Sequence, residues 1–343
     1  MNLILPFEVG TLTPSITYHH KMMLIGSCFT EHIGNRLHEL KFNVFQNPNG
    51  ILFDTVSICN ALQSYIAPIH YEAQDLFQHQ GLYHSWAHHS RYAHTSAKKA
   101  IDGINLRMNE AHDFLRTADW LLITLGTSYT YFLNDTAPAA VKKVRSNLHR
   151  PAFAEAVANC HKYPAHYFEK RLVSIEDQIS IMETTLHQLL HFNPSLKVIF
   201  TVSPVRHIRD GVVENNRSKG RLIEMVHYLV DSFQGVFYFS AYELVIDVLR
   251  DYRFYDTDLV HPSSAASTFV FEQFEGYAFD KETKQLSEAV KQIVQAFHHA
   301  PLHPESEPHR AFMIAMHEKT KALAARYLQL DFKEALAYFS NHH

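Results

Sequence analysis

Four short apolar runs, each closed by small or polar residues, constrain this chain more than any other feature. They are MMLIG (22–26), WLLITLGT (120–127), KVIFTVSP (197–204) and GVFYFS (235–240), with FNVFQNP (42–48) as a fifth candidate. Strands that are apolar from end to end must be covered on both faces, which is the pattern of a parallel sheet. Helical spacing fills the segments between them. Phe29, Ile33, Leu37 and Leu40 form a stripe directly after the first run. Ile179, Met182, Leu186 and Leu189 form another, behind Ser174 with Asp177 three residues on, in the manner of a capping box. Leu222, Met225, Leu229 and Phe233 form a third. Strand and helix in alternation predict an α/β fold, a three-layer α/β/α sandwich around a mostly parallel sheet of about five strands.

Residues 64–118 and 133–173 interrupt that rhythm with aromatic and histidine-rich stretches. They are expected to be inserts over the C-terminal edge of the sheet, where they would shape a pocket. The body is expected to span 1–297. HHAPLHPESEPH (298–309) carries three prolines, so 298–308 reads as a linker. Beyond it Phe312, Met316, Leu323, Tyr327 and Leu330 keep helical spacing, which makes 309–343 a helical extension packed on the body or on a second copy of the chain.

With 343 residues, 46% of them hydrophobic, the chain can bury a substantial core. A formal charge of −4 leaves no footprint for nucleic acid or an anionic membrane. Cys28, Cys59 and Cys160 are too few for a disulfide framework. The first residues lack a basic signal region, and no run reaches the ~18 apolar residues of a membrane helix, so a soluble cytoplasmic protein is expected. There is no Gly-x-Gly-x-x-Gly, no phosphate loop and no Gly-x-Ser-x-Gly elbow, and no cofactor is expected.

Histidine is abundant at 26 residues, and YHSWAHHSRYAH (83–94) raises the question of zinc. His84, His88, His89 and His94 offer paired imidazoles, yet no carboxylate or thiol accompanies them. No metal is therefore expected. Trp86 and one of these histidines would instead line the mouth of a pocket.

The first run ends at Gly26, which places Ser27 at the C-terminal edge of the sheet and the N-terminus of the next helix. Backbone N–H groups there stabilise a nucleophile or a developing oxyanion, but a serine there can equally be an N-cap. Far along the chain, FYDTDLVHPSSAAS (254–267) holds Asp258 and His261 with two residues between them. Such a loop can aim the carboxylate at one imidazole nitrogen and leave the other as a general base.

Serine after the first strand with Asp-x-x-His after the last resembles the SGNH, or GDSL-type, hydrolases. GSCF (26–29) resembles the opening motif of the GSCFA family, which is grouped with them. NPNGILFDTVSI (47–58), TLGTSYTY (124–131), ANCHK (158–162), TVSPVRHIRDG (201–211) and ENNRSKG (214–220) extend the resemblance over residues 20–270.

The resemblance implies a flavodoxin-like topology and hydrolysis of an ester, such as an O-acyl or O-acetyl group on a carbohydrate or small polar molecule. It makes Ser27 the nucleophile, His261 the base and Asp258 its orienting partner. Oxyanion donors would be the N–H groups of Ser27 and Gly50. A third is in doubt, because Gly126-Thr127-Ser128-Tyr129 stands where Gly-x-Asn-Asp is usual. Ser128 or Asn159 would have to replace it, and losing a donor costs ~100-fold in rate or more. Arg206 and His207 follow the third long run, where Arg206 would hold a substrate carboxylate or phosphate or make a structural ion pair. Cys28 reads as a small buried residue, with a thiol nucleophile as the alternative. Acyl transfer, and ligand binding without catalysis, are the remaining readings.

Overall fold

The apolar runs do become strands in the computed structural model, which describes residues 5–143, 151–299 and 302–340. Strand β1 (Lys21–Gly26) leads through Ser27 into α1 (Cys28–Glu39), followed by β2 (Asn43–Gln46) and α2 (Thr55–Ile66). A hairpin of β3 (Phe77–His79) and β4 (Leu82–His84) precedes α3 (Ala97–Leu115) and β5 (Trp120–Leu125). Next come β6 (Tyr129–Leu133), β7 (Ala156–Val157), β8 (Phe168–Leu172), α4 (Ile175–Phe192), β9 (Lys197–Val202), α5 (Val212–Ser232) and β10 (Val236–Tyr238). The short α6 (Ala241–Glu243) runs into a π-helical turn at Leu244–Leu249. The chain ends with α7 (Ser264–Ala278), α8 (Lys281–His298), α9 (Glu307–Arg326) and α10 (Lys333–Ser340).

The main sheet has the order β10-β9-β5-β1-β2, with every pairing parallel. Strand residues alternate between two cores because successive side chains point to opposite faces. Met23, Ile25, Leu121 and Ile123 pack against α2, α3, α4 and α5. Met22, Leu24, Trp120 and Leu122 pack against α1, α7 and α8. Three layers result. The direction of winding reverses between β1 and β5, and in such sheets the crevice at the strands' C-terminal ends beside that reversal is where ligands bind.

The stretch 64–118 is not all insert. It contains α3, whose Ala100, Ile104, Met108, Ala111 and Leu115 face the first core. Alanine and methionine among charged residues make a faint stripe, which explains why the helix was hard to see in the sequence. The stretch 133–173 supplies β7 and β8, which pair antiparallel with β6 over a small core of Phe77, Trp86, Leu133, Ala137, Val141 and Val157.

The C-terminal helices pack on the body. Met313, Met316, Leu330, Phe332, Ala335 and Phe339 join the second core. Burying Phe332 and Phe339 stabilises that docking by on the order of 1.5–3 kcal/mol each. The expected linker of 298–308 overlaps both helices at its ends, with His298 closing α8 and Glu307 and Pro308 opening α9. The portions of the expected spans at 1–4, 144–150, 300–301 and 341–343 lie outside the described residues. Among the described residues no helix is long and apolar enough to cross a membrane.

Candidate active site

The small residues after β1 have a steric cause. Gly26 has φ +143°, and a Cβ there would lie 2.2 Å from the Thr124 carbonyl oxygen of β5, so only glycine fits. Its N–H donates to Asn47 Oδ1 at 2.9 Å, which ties the turn to the NPNG segment. Ser27 follows in extended conformation at the N-cap of α1, but its side chain makes no capping hydrogen bond. Its Oγ is buried and has no partner among the described residues. Buried hydroxyls are nearly always bonded, so an unbonded one at this place asks for a role other than capping.

Cys28, the first residue of α1, lines a cleft of about 780 Å³ that opens at the C-terminal ends of β1, β5 and β9. Burial raises its thiol pKa by more than the N–H groups of Phe29 and Cys28 lower it, which keeps the sulfur protonated and weakly nucleophilic. A hollow of similar size, about 830 Å³, lies at the opposite ends of the strands beside Lys21, Asn43 and Phe297. It contains neither the serine turn nor the Asp-x-x-His loop.

That loop borders the cleft at the C-terminal strand ends. Asp258 Oδ1 accepts from the N–H groups of Val260 at 2.9 Å and His261 at 3.0 Å, while Oδ2 lies 2.6 Å from His261 Nδ1. The His261 N–H, then its ring, then the Val260 N–H hold the carboxyl pKa down to about 2. An ionised acceptor on Nδ1 fixes the proton there and leaves Nε2 with its lone pair. Both side chains are nearly half exposed, at 46% for His261 and 48% for Asp258, whereas Ser27 is 1% exposed. The dyad therefore sits at the lip of the cleft, whereas Ser27 lies buried behind Cys28, which lines it, and no hydrogen bond joins the serine to the dyad.

The other expected site residues separate clearly. Asn159 lines the cleft, with Oδ1 accepting from His161 N–H at 2.8 Å and its amide nitrogen left without a partner among the described residues. His207 lines it too. Burial, and then the charge of Lys219, press its pKa down to about 3, and its Nε2 is buried and unpartnered. The Arg206 guanidinium lies over the rings of Tyr255 and Tyr252, at 4.4 and 5.0 Å.

Four expectations need correction. Gly50 does not face the cleft: its N–H closes a turn onto Asn47 O at 2.8 Å, and its φ of +81° and the packed His89 account for the glycine. Ser128 is buried, its hydroxyl donating to Ser218 O at 2.8 Å and its N–H to Ser218 Oγ at 2.7 Å, so neither is available to an oxyanion. Trp86 is buried in the small core, stacked on Phe77 at 3.7 Å with its indole N–H on Val141 O, and lines no mouth. The Ser27 N–H is likewise engaged, on Thr124 O at 3.2 Å. His84 and His88 are buried around the same insert, and the described residues contain no metal-holding group of three or more His, Cys, Asp or Glu.

Sequence reading missed Lys219. It is fully buried, and its Nζ donates at 2.6 Å to both Gly126 O and Ser203 O, joining the segments after β5 and β9 beneath the cleft. Burial pushes its pKa down to about 7. A signal existed, since Lys219 sits three residues before Leu222 on the buried stripe of α5.

Comparison with known proteins gives two family matches. A model described as the GSCFA family matches residues 21–274, and one described as GSCFA domain protein, C-terminal domain, matches residues 290–342. Among curated proteins none matches. Among solved structures, a carbohydrate esterase family 3 protein from Talaromyces cellulolyticus is similar at 12% identity and a TM-score of 0.35, covering 80% of this chain and 99% of its own.

Proposed function

The chain belongs to the GSCFA family, and from that premise we propose that it is a serine-dependent ester hydrolase of the SGNH, or GDSL, type. Its substrate class is O-acyl esters, O-acetyl among them, of a carbohydrate or another small polar molecule. The observation that carries the reading is the Asp258–His261 pair, whose 2.6 Å contact at Nδ1 orients the ring at the edge of the cleft. Ser27, with its unbonded Oγ at the start of α1, supplies the nucleophile.

In the first half-reaction His261 Nε2 takes the hydroxyl proton as Ser27 Oγ bonds to the acyl carbon. The oxyanion then collapses, the bond to the alcohol oxygen breaks, and that oxygen receives the proton. Water repeats the sequence against the acyl-serine and releases the acid. In this reading the oxyanion is met by the amide N–H of Asn159, which has no partner among the described residues, and by the positive end of α1. Substrate must draw the serine and the dyad into hydrogen-bond contact, as catalytic hydrogen bonds commonly tighten in the complex. An alcohol in place of water would turn the same acyl-enzyme to acyl transfer.

One observation favours a second reading, a ligand-binding protein on this scaffold. The N–H groups of Ser27 and Gly50 are bonded within the protein, and Ser27 makes no bond to His261. Fluorophosphonate labelling followed by intact mass separates the two. The hydrolase reading expects one adduct on the parent and on Cys28→Ala, and none on Ser27→Ala or His261→Ala. No adduct on folded parent protein would overturn it in favour of binding alone.

A further inference from the structure

We infer that the cleft holds its substrate by an anionic group, a carboxylate or a phosphate, seated on Arg206 at the lip beside His261. The inference deepens the hydrolase reading and rests on it for the chemistry at the ester, but the anion site is argued from charge and geometry.

Every carboxylate that lines the cleft is already engaged. Asp54 accepts from the Ser57 N–H, the Ser57 hydroxyl and the Thr130 hydroxyl, and burial raises its pKa. Asp210 is paired with Lys170, and Asp258 with His261. The guanidinium groups are not so engaged. Arg206 meets no carboxylate among the described residues, and exposed Arg209, three residues on, also lines the cleft without an ion pair. The wall therefore offers two guanidinium groups that no carboxylate of the described residues pairs with.

Arg206 is also held in place. Its backbone N–H donates to Val260 O at 3.2 Å, which ties it to the loop of the dyad, and its guanidinium lies over two tyrosine rings. The rings hold the group beside the cleft, and its planar fork of donors suits two oxygens of one anion. The chemistry selects a substrate whose ester sits within reach of an acidic group, such as an acylated sugar acid or an acylated sugar phosphate.

Calorimetric titration of the full chain at low salt tests this with succinate and glycerol 3-phosphate against their neutral counterparts, succinamide and glycerol. The parent is expected to bind at least one anion and to prefer it to its neutral partner. Arg206→Met should weaken that binding by about tenfold or more, since hydrogen bonds to a charged group are involved. Arg206→Lys should recover only part of it, because an ammonium lacks the planar fork. The two anions separate a carboxylate site from a phosphate site. Equal binding of anions and neutral partners by the parent, or unchanged anion binding in a folded Arg206→Met, would overturn the inference. Failure of the hydrolase reading looks different: no serine adduct, with anion binding intact.

Discussion

His88 should make the protein acid-sensitive by an amount that the structure sets. The ring is buried, its Nδ1 lies 2.9 Å from Ser85 Oγ, its Nε2 has no partner among the described residues, and Tyr71 and Tyr92 pack edge-on against it. Burial first, then His161, pushes its pKa down to about 3. In the unfolded chain the value is about 6.5. Below that the unfolded state binds a proton which the native state refuses, so stability is full above about pH 6.5 and falls as pH drops toward about 3. At about pH 5 the gap is roughly 1.5 pH units, and at about 1.4 kcal/mol per unit the loss is about 2 kcal/mol. His161, pushed down to about 4 chiefly by burial, adds a similar loss in the same window. Urea unfolding of the parent and His88→Phe at about pH 7.5 and about pH 5 isolates one histidine, because the ring stays and the titration goes. Between those two pH values the parent should lose about 2 kcal/mol more than the variant. Equal losses would mean that His88 is not held neutral, and the burial argument would fail.

Ser27→Ala should leave stability within about 0.5 kcal/mol of the parent in urea, because the hydroxyl caps nothing and bonds to nothing, whereas loss of a true N-cap costs about 1 kcal/mol. Lys219→Met should destabilise by about 3 kcal/mol, since it strands the buried Gly126 and Ser203 carbonyls. An unchanged unfolding midpoint would show that relief of the buried charge offsets them. Gly26→Ala should cost about 3 kcal/mol or more, through the Thr124 contact and the positive φ, and a normal yield with an unshifted thermal transition would contradict the geometry.

The sequence by itself determined the sheet. Strands buried on both faces must be apolar throughout, so β1, β5, β9 and β10 stood out as runs, and α4 and α5 as stripes with a start signal or a clear period. The Asp258–His261 contact was legible for a similar reason, being a local loop property set by three residues of spacing. Tertiary structure decided what depends on distant neighbours. The Gly50 N–H is consumed by its own turn, Ser128 by Ser218, and the Trp86 indole by Val141, none of which is visible from residue type. Lys219 shows the converse: a lysine reads as solvated until β5 and β9 bring two carbonyls to its ammonium. For Arg206 the fold withdraws the structural ion pair, since it meets no carboxylate among the described residues and lies against two tyrosine rings. Hydrogen-bond partners and charge balance belong to the packed molecule, because each is fixed by atoms far apart in the chain.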